Sequence, residues 1–203
     1  MDKRIYLASR SPRRRELLKQ IGVSFEPLLL REDMGRGPDV DESPHSGETA
    51  VDYVRRVARA KAEMGWFRVL QRRIRSYPVL TADTTVMLEG EILGKPATRE
   101  QACEMLKKLS GKRHEVHTAV AMCNQDRLEV RLSSTMVEFG EIQETEIRRY
   151  VASGESMDKA GAYAIQGRAA LFVKRMEGSY SGVMGLPLFE TAELLRLFNY
   201  EIW

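Results

Sequence analysis

Four short segments, in fixed order along 203 residues, hold most of the side chains able to do chemistry: LASRSPRR (7–14), ADTTV (82–86), LGKP (93–96) and DKAGAYAIQG (158–167). In the first, Ser9 begins a turn that puts Arg13 and Arg14 at the start of a helix. The free amides of a first helical turn carry partial positive charge, so two arginines there suit a polyphosphate; SPRR on its own also reads as a solvated basic turn. Asp83 ends the apolar run 79–82, and an acid at the carboxyl end of a strand stands where open α/β sheets place ligands and catalytic groups. The same residue could equally cap a turn, sharing hydrogen bonds with Thr84 and Thr85. For chemistry on a triphosphate, a carboxylate here could take a proton from attacking water or hold a divalent ion. Either use requires a second acid nearby, and Glu32 and Asp33, at the start of a polar loop, are the candidates.

Two lysines and one amide complete the set. Lys61 falls on the apolar stripe of Val54, Val57 and Ala58 in a helix expected over 49–64, so its charge needs a reason. Either the alkyl stem snorkels to the edge of the core or the ammonium faces inward beside phosphates. Lys95, in a tight GKP turn, is placed to reach an anion, although turn lysines are ordinarily just exposed. Asp158, Lys159 and Gln166 lie among Gly161, Gly167 and three alanines, a texture that suits backbone brought close to a ligand or simply tight packing. Gln166 offers both a donor and an acceptor, as reading the amide edge of a base would require.

These residues need elements to hold them. The pattern predicts a strand over 4–8, then a helix capped by Ser11 with Pro12 at its first position, Leu17, Leu18 and Ile21 on one face and Gly22 as its stop. After the helix at 49–64 come a buried strand over 79–82 and a hairpin over 85–93 around Glu89 and Gly90. Thr98 and Gln101 form a capping box for a helix that buries Met105, Leu106 and Leu109 before Ser110 and Gly111. Strands follow over 114–122 and 128–139, helices near 145–152 and 186–198, and a strand over 170–176 between them. Such alternation indicates an α/β fold, a mixed twisted sheet flanked by helices.

A hydrophobic content of 43% supports one compact domain or two closely joined lobes. With 32 basic against 29 acidic residues, the net charge of +3 gives no nucleic-acid footprint, only room for a locally basic pocket. The run RRIR within 68–76 lacks interleaved aromatics and reads as a solvated face, and 31–48 reads as a mobile surface loop rich in Gly, Pro, Asp and Ser. Cys103 and Cys123 show no ligand spacing and are expected as reduced, buried thiols. His45 sits in a loop, while His114 and His117 fall on opposite faces of a strand and make a poor metal pair. No stretch approaches the roughly 18 apolar residues of a membrane span, and no signal-like segment opens the chain, so a soluble cytoplasmic protein is expected.

In this order LASxSPRR, ADT, GKP and DKAGAYxIQG resemble the Maf family of nucleoside triphosphate pyrophosphatases, from about residue 5 to 198. The resemblance implies a single domain over 1–203 with a deep cleft between two lobes, similar to the inosine triphosphate pyrophosphatases and lined by 9–14, 32–33, 61, 82–86, 93–96 and 158–167. It implies cleavage between the α and β phosphates, dependent on a divalent cation (Mg or Mn), to a nucleoside monophosphate and pyrophosphate. By the same motifs Asp83 would be the proton acceptor, Arg13, Arg14, Lys61 and Lys95 the phosphate-facing cations, and Ser9 part of their turn. Arg13, Thr84 and Gln166 match the substrate-selecting set of the branch acting on dTTP and UTP; the branch acting on 7-methyl-GTP differs around them. The family acid after the first helix is usually Glu, whereas an ungapped reading brings Asp33 there with Glu32 adjacent, which leaves the metal-side acid open. The segments 35–48 and 65–77 also look longer than usual.

A triphosphate brings about four negative charges, which the basic residues and a divalent ion would neutralise while a water on that ion attacks the α phosphorus and Asp83 accepts its proton. No covalent intermediate is needed. The competing class is a non-catalytic regulator that holds a nucleotide or nucleic acid on the same basic turn, but a pure anion binder gains nothing from an acid beside its cations. Clearance of modified nucleotides would be analogy alone. The expected partner is the nucleotide substrate, with neither membrane nor nucleic acid; the sequence leaves the oligomeric state open, a homodimer included.

Overall fold

The computed structural model of the chain describes residues 4–31 and 37–202. The strand β1 (Ile5–Leu7) is buried at all three positions and leads into the helix α1 (Pro12–Gln20). Pro12 takes the first helical position as predicted, but the Ser11 side chain makes no capping bond. Two residues earlier, Ser9 Oγ accepts from Ser11 N at 3.2 Å and folds the turn that leads into the helix. After β2 (Phe25–Pro27), Thr49 caps α2 (Ala50–Gln71), its Oγ1 accepting from Asp52 N at 3.1 Å.

The helix α2 runs well past the predicted end at Met64. Its buried stripe of Val54, Val57, Ala58 and Ala62 continues through Gly65 and Val69, and Trp66 packs on the same cores. Gly65 is there for close approach rather than as a breaker, since a Cβ at that position would lie 2.7 Å from Val79 Cγ1. The strand β3 (Val79–Leu88) is likewise longer than predicted, because the β-branched Thr84, Thr85 and Val86 carry it on. It pairs with β4 (Glu91–Leu93) through a two-residue turn in which Glu89 and Gly90 both have positive φ, 51° and 85°, as a primed hairpin turn requires.

Thr98 caps α3 (Arg99–Leu109), its Oγ1 accepting from Gln101 N, but Gln101 returns its side chain to Ala97 N, one residue short of a reciprocal box. There follow β5 (Arg113–Cys123), β6 (Leu128–Phe139), α4 (Glu144–Ala152), β7 (Val173–Glu177), α5 (Tyr180–Met184) and α6 (Leu188–Leu197). The strand expected from residue 170 starts only at Val173, because 3-10 turns at Ala160–Ala162 and Arg168–Phe172 occupy the chain before it and bury Ala169.

Among the described residues seven strands hydrogen-bond in the order β2-β1-β3-β5-β6-β7, with β4 on β3. The strand β1 is parallel to β2 and β3, while β3/β4 and β6/β7 are antiparallel, so the sheet is mixed. The chain divides into two compact units, Met1–Asp83 with Thr118–Leu132 and Gly185–Trp203, and Thr84–His117 with Ser133–Met184. In the first, α2 packs Val54, Ala58 and Ala62 on Ala119, Ala121 and Cys123. In the second, Leu106, Leu109, Phe139, Ile147 and Tyr163 centre one core. Both cysteines are free thiols, and burial pushes that of Cys123 up to about 11. Among the described residues no helix is long and apolar enough to cross a membrane.

Candidate active site

In the first unit, the β1–α1 junction brings Ser9 and Arg14 together: Arg14 Nη1 donates to Ser9 Oγ at 3.3 Å and its Nε to Gly185 O at 2.7 Å. Burial pulls the Arg14 guanidinium below the ordinary arginine value, an effect that Asp83 opposes, Arg13 deepens and Glu42 opposes in turn. Guanidinium stays charged at neutral pH all the same. Arg13, half-buried, occupies the same turn.

Asp83 lies inside β3 rather than at a strand end, which corrects the expected position and removes the turn-cap alternative. Lys61 Nζ donates to Asp83 Oδ1 at 2.8 Å and stands 2.8 Å from Glu42 Oε2. The lysine therefore reaches carboxylates from the apolar stripe of α2, one ammonium between two acids. The side chains of Lys61 and Asp83 are only 14% and 9% exposed, against 46% for Glu42. Asp83 Oδ2 is buried and accepts no hydrogen bond among the described residues. A buried carboxylate oxygen without a donor is costly to leave so, and it is the oxygen open to a water or a cation.

Glu42 was missed by the sequence reading. Its signal was the acidic run DVDE (39–42) ahead of a helix whose inward lysine lacked a partner, submerged in a loop whose Gly and Pro content suggested mobility. Glu32 and Asp33, the acids singled out instead, lie outside the described residues. Far from loose, the described part of the loop is tied to α2. Arg68 and Arg31 hold the Asp39 carboxylate, the Arg68 hydrogen bond chiefly keeping it below the usual range. Tyr53, also unforeseen, donates its hydroxyl to Glu42 O at 3.0 Å; burial first, then the charges of Asp83 and Glu42, push its ionisation up.

Arg56 grips Glu48 with two parallel bonds of 2.6 and 2.8 Å, and this fork brings the Glu48 carboxyl down to about 2. A depressed acid contributes its stabilisation in full above the unfolded value near 4.5 and loses it as pH falls through about 2. Amide exchange across 41–48 is therefore expected to stay slow relative to the unfolded chain from pH 7 to 4.5, with release confined to more acidic solution; release between pH 7 and 5 would contradict the fork.

The second unit holds Thr84, Lys95, Asp158, Lys159 and Gln166. Gly161 N donates to Gly94 O at 3.1 Å, which joins the GKP turn to the 158–167 segment. Gly161 needs to be glycine twice over, with φ of 67° and a Cβ position 3.0 Å from Val86. Tight packing thus explains that glycine. Lys95, Asp158 and Gln166 are exposed, Thr84 is half-buried, and Lys159 Nζ donates to Met157 O at 3.1 Å.

Among the described residues no group of three or more His, Cys, Asp or Glu gathers as a metal centre. His114 Nε2 meets Tyr163 OH at 2.9 Å, and burial lowers the imidazole to about 4, so it is neutral at pH 7. His117 Nδ1 meets Ser134 Oγ at 2.9 Å. Asp83 Oδ2 and Glu42 nonetheless fit a hard divalent cation, which takes oxygen ligands and commonly binds through one or two carboxylates plus substrate phosphates.

The Maf-like protein family profile matches residues 4–198. A dTTP/UTP pyrophosphatase of Aromatoleum aromaticum is 56% identical over 200 residues, covering 98% of this chain and 97% of the relative. One from Nitrosomonas europaea is 56% identical over 192 residues, 95% and 93% of the two chains. Among solved structures, the Staphylococcus aureus Ham1 protein aligns with a TM-score of 0.46 and 19% identity over 68% of this chain and 72% of that one. With the family profile matched along nearly its whole length and relatives more than half identical to it, the chain belongs to the Maf family.

Proposed function

We propose that the chain hydrolyses dTTP and UTP between the α and β phosphates, releasing the nucleoside monophosphate and pyrophosphate in the cytoplasm, with Mg or Mn as the cation. The observation that carries this is Asp83: one oxygen fixed by Lys61, the other buried and unpartnered among the described residues. Support for the nucleotides comes from the relatives, which are named dTTP/UTP pyrophosphatases. Asp83 and Glu42 would hold the divalent cation, which when bound neutralises phosphate charge. Arg13 and Arg14 bind the triphosphate from the first turn of α1, with Ser9 orienting Arg14. Lys61 fixes the two carboxylates, and Asp83 Oδ2 receives the proton of the water whose oxygen bonds to the α phosphorus as the bond to the bridging oxygen breaks. Lys95, Asp158 and Lys159 supply further substrate contacts, and Arg13, Thr84 and Gln166 select the base.

A panel of dTTP, UTP, CTP, GTP and 7-methyl-GTP with Mg or Mn tests reaction and base choice together. Pyrophosphate with dTMP and UMP is expected, and chelation should abolish it. Orthophosphate as the product, or no turnover of either pyrimidine nucleotide, would overturn the assignment.

A further inference from the structure

Beside Lys61 on α2, a second group of polar side chains touches the loop that carries Glu42 and has no role among the substrate and cation contacts proposed above. Arg56 Nη1 donates to Asp41 O at 3.3 Å and Nη2 to Ser43 O at 2.9 Å, while Nε and Nη2 grip Glu48. Tyr53 OH donates to Glu42 O at 3.0 Å, and the Arg56 guanidinium lies 5.7 Å from the Tyr53 ring centroid. Three consecutive carbonyls, 41 to 43, are thus each bonded to a side chain of one helix, and the residue at their centre is the one whose carboxylate meets Lys61. A half-exposed glutamate on an untethered loop would lose that contact to chain and rotamer entropy. Tying the backbone on both sides removes the freedom beforehand.

We propose that Arg56, braced by Glu48 and stacked on Tyr53, is a positioning residue that sets the Glu42 carboxylate on Lys61 and so assembles the second acid of the hydrolytic site. The role rests on the hydrolysis proposed above. Only a planar fork with five donors can span two carbonyls and a carboxylate at once; a lysine at 56 keeps the charge and loses the geometry.

The test is dTTP kinetics with cation titration on wild type, R56K, R56A, E42A and R56A/E42A, with melting curves for each. R56K is expected to lower kcat about 10- to 100-fold, raise the cation concentration for half-maximal activity, and leave the dTTP KM within about threefold. A merely structural role would reduce the folded fraction without moving the cation requirement. Because Arg56 acts through Glu42, R56A/E42A should fall no more than about twofold below E42A. Where R56A fails to fold, R56K/E42A completes the cycle, and E48Q, which removes the brace, should reproduce part of the R56K loss. Wild-type kcat in R56K, or losses that multiply in the double variant, overturns the positioning role while the hydrolysis stands. A wild-type protein inert toward dTTP and UTP overturns the hydrolysis, and the positioning role with it.

Discussion

Asp83→Asn is expected to lower pyrophosphate release from dTTP about 10³-fold, with the fold intact and the dTTP KM within a few-fold. The substitution preserves shape and removes a proton acceptor and a charge. Lys61 keeps its Glu42 partner at 2.8 Å and can still donate to the new amide oxygen, so the ammonium is never stranded. The arginines proposed to bind the triphosphate are untouched, which is why the loss is expected on turnover rather than on binding. Two controls separate the duties of Asp83. Loss of a proton acceptor is relieved as hydroxide rises with pH, whereas loss of a cation ligand is relieved by excess Mg or Mn. Wild-type turnover in this variant would remove Asp83 from the mechanism.

Side-chain type and immediate context made Arg13, Arg14, Lys61 and Asp83 legible in the sequence, since each is a charge where the local pattern wants none or at a helix start that favours an anion. What the sequence could not yield were facts fixed by contacts far along the chain. Asp83 read as a strand end because its apolar run stops there, yet β3 continues to Leu88 because ladder bonds and burial outweigh one acid. The helix read as ending at Met64, yet it runs on to Gln71, and the missing side chain of Gly65 is what lets α2 approach Val79. Ser11 stood at the helix start as predicted, but its side chain makes no capping bond, and Ser9 instead accepts from the Ser11 amide in the turn ahead of the helix. Glu42 is the instructive miss: the acidic run DVDE was its only local sign, submerged in a Gly- and Pro-rich loop, and only the fold reveals that Tyr53 holds its carbonyl, Arg56 the carbonyls on either side and Lys61 its carboxylate. The loop composition was read correctly as irregular chain; irregular does not mean untethered.

Lys61→Met should be the more damaging substitution for the fold, lowering stability by about 3 kcal/mol and the melting temperature by roughly 10 °C, as well as abolishing activity. Methionine keeps the length and packing of the stem on the α2 stripe, so the loss isolates the ammonium. Without it the Asp83 carboxyl, with a side chain 9% exposed, has neither oxygen partnered by a lysine, and burying such a group without its partner is costly. Breaking a buried pair from one side is costly for this reason, whereas removing both charges is not. Lys61→Met/Asp83→Asn should accordingly melt closer to wild type than Lys61→Met does, while remaining inactive. Millimolar Mg or Mn should raise the melting temperature of Lys61→Met more than that of wild type, because the uncompensated acids bind a cation more tightly in the folded state. Equal melting of Lys61→Met and wild type would mean that the ammonium does not hold Asp83 in solution, and the two-acid arrangement from which the hydrolytic site is built would have to be abandoned.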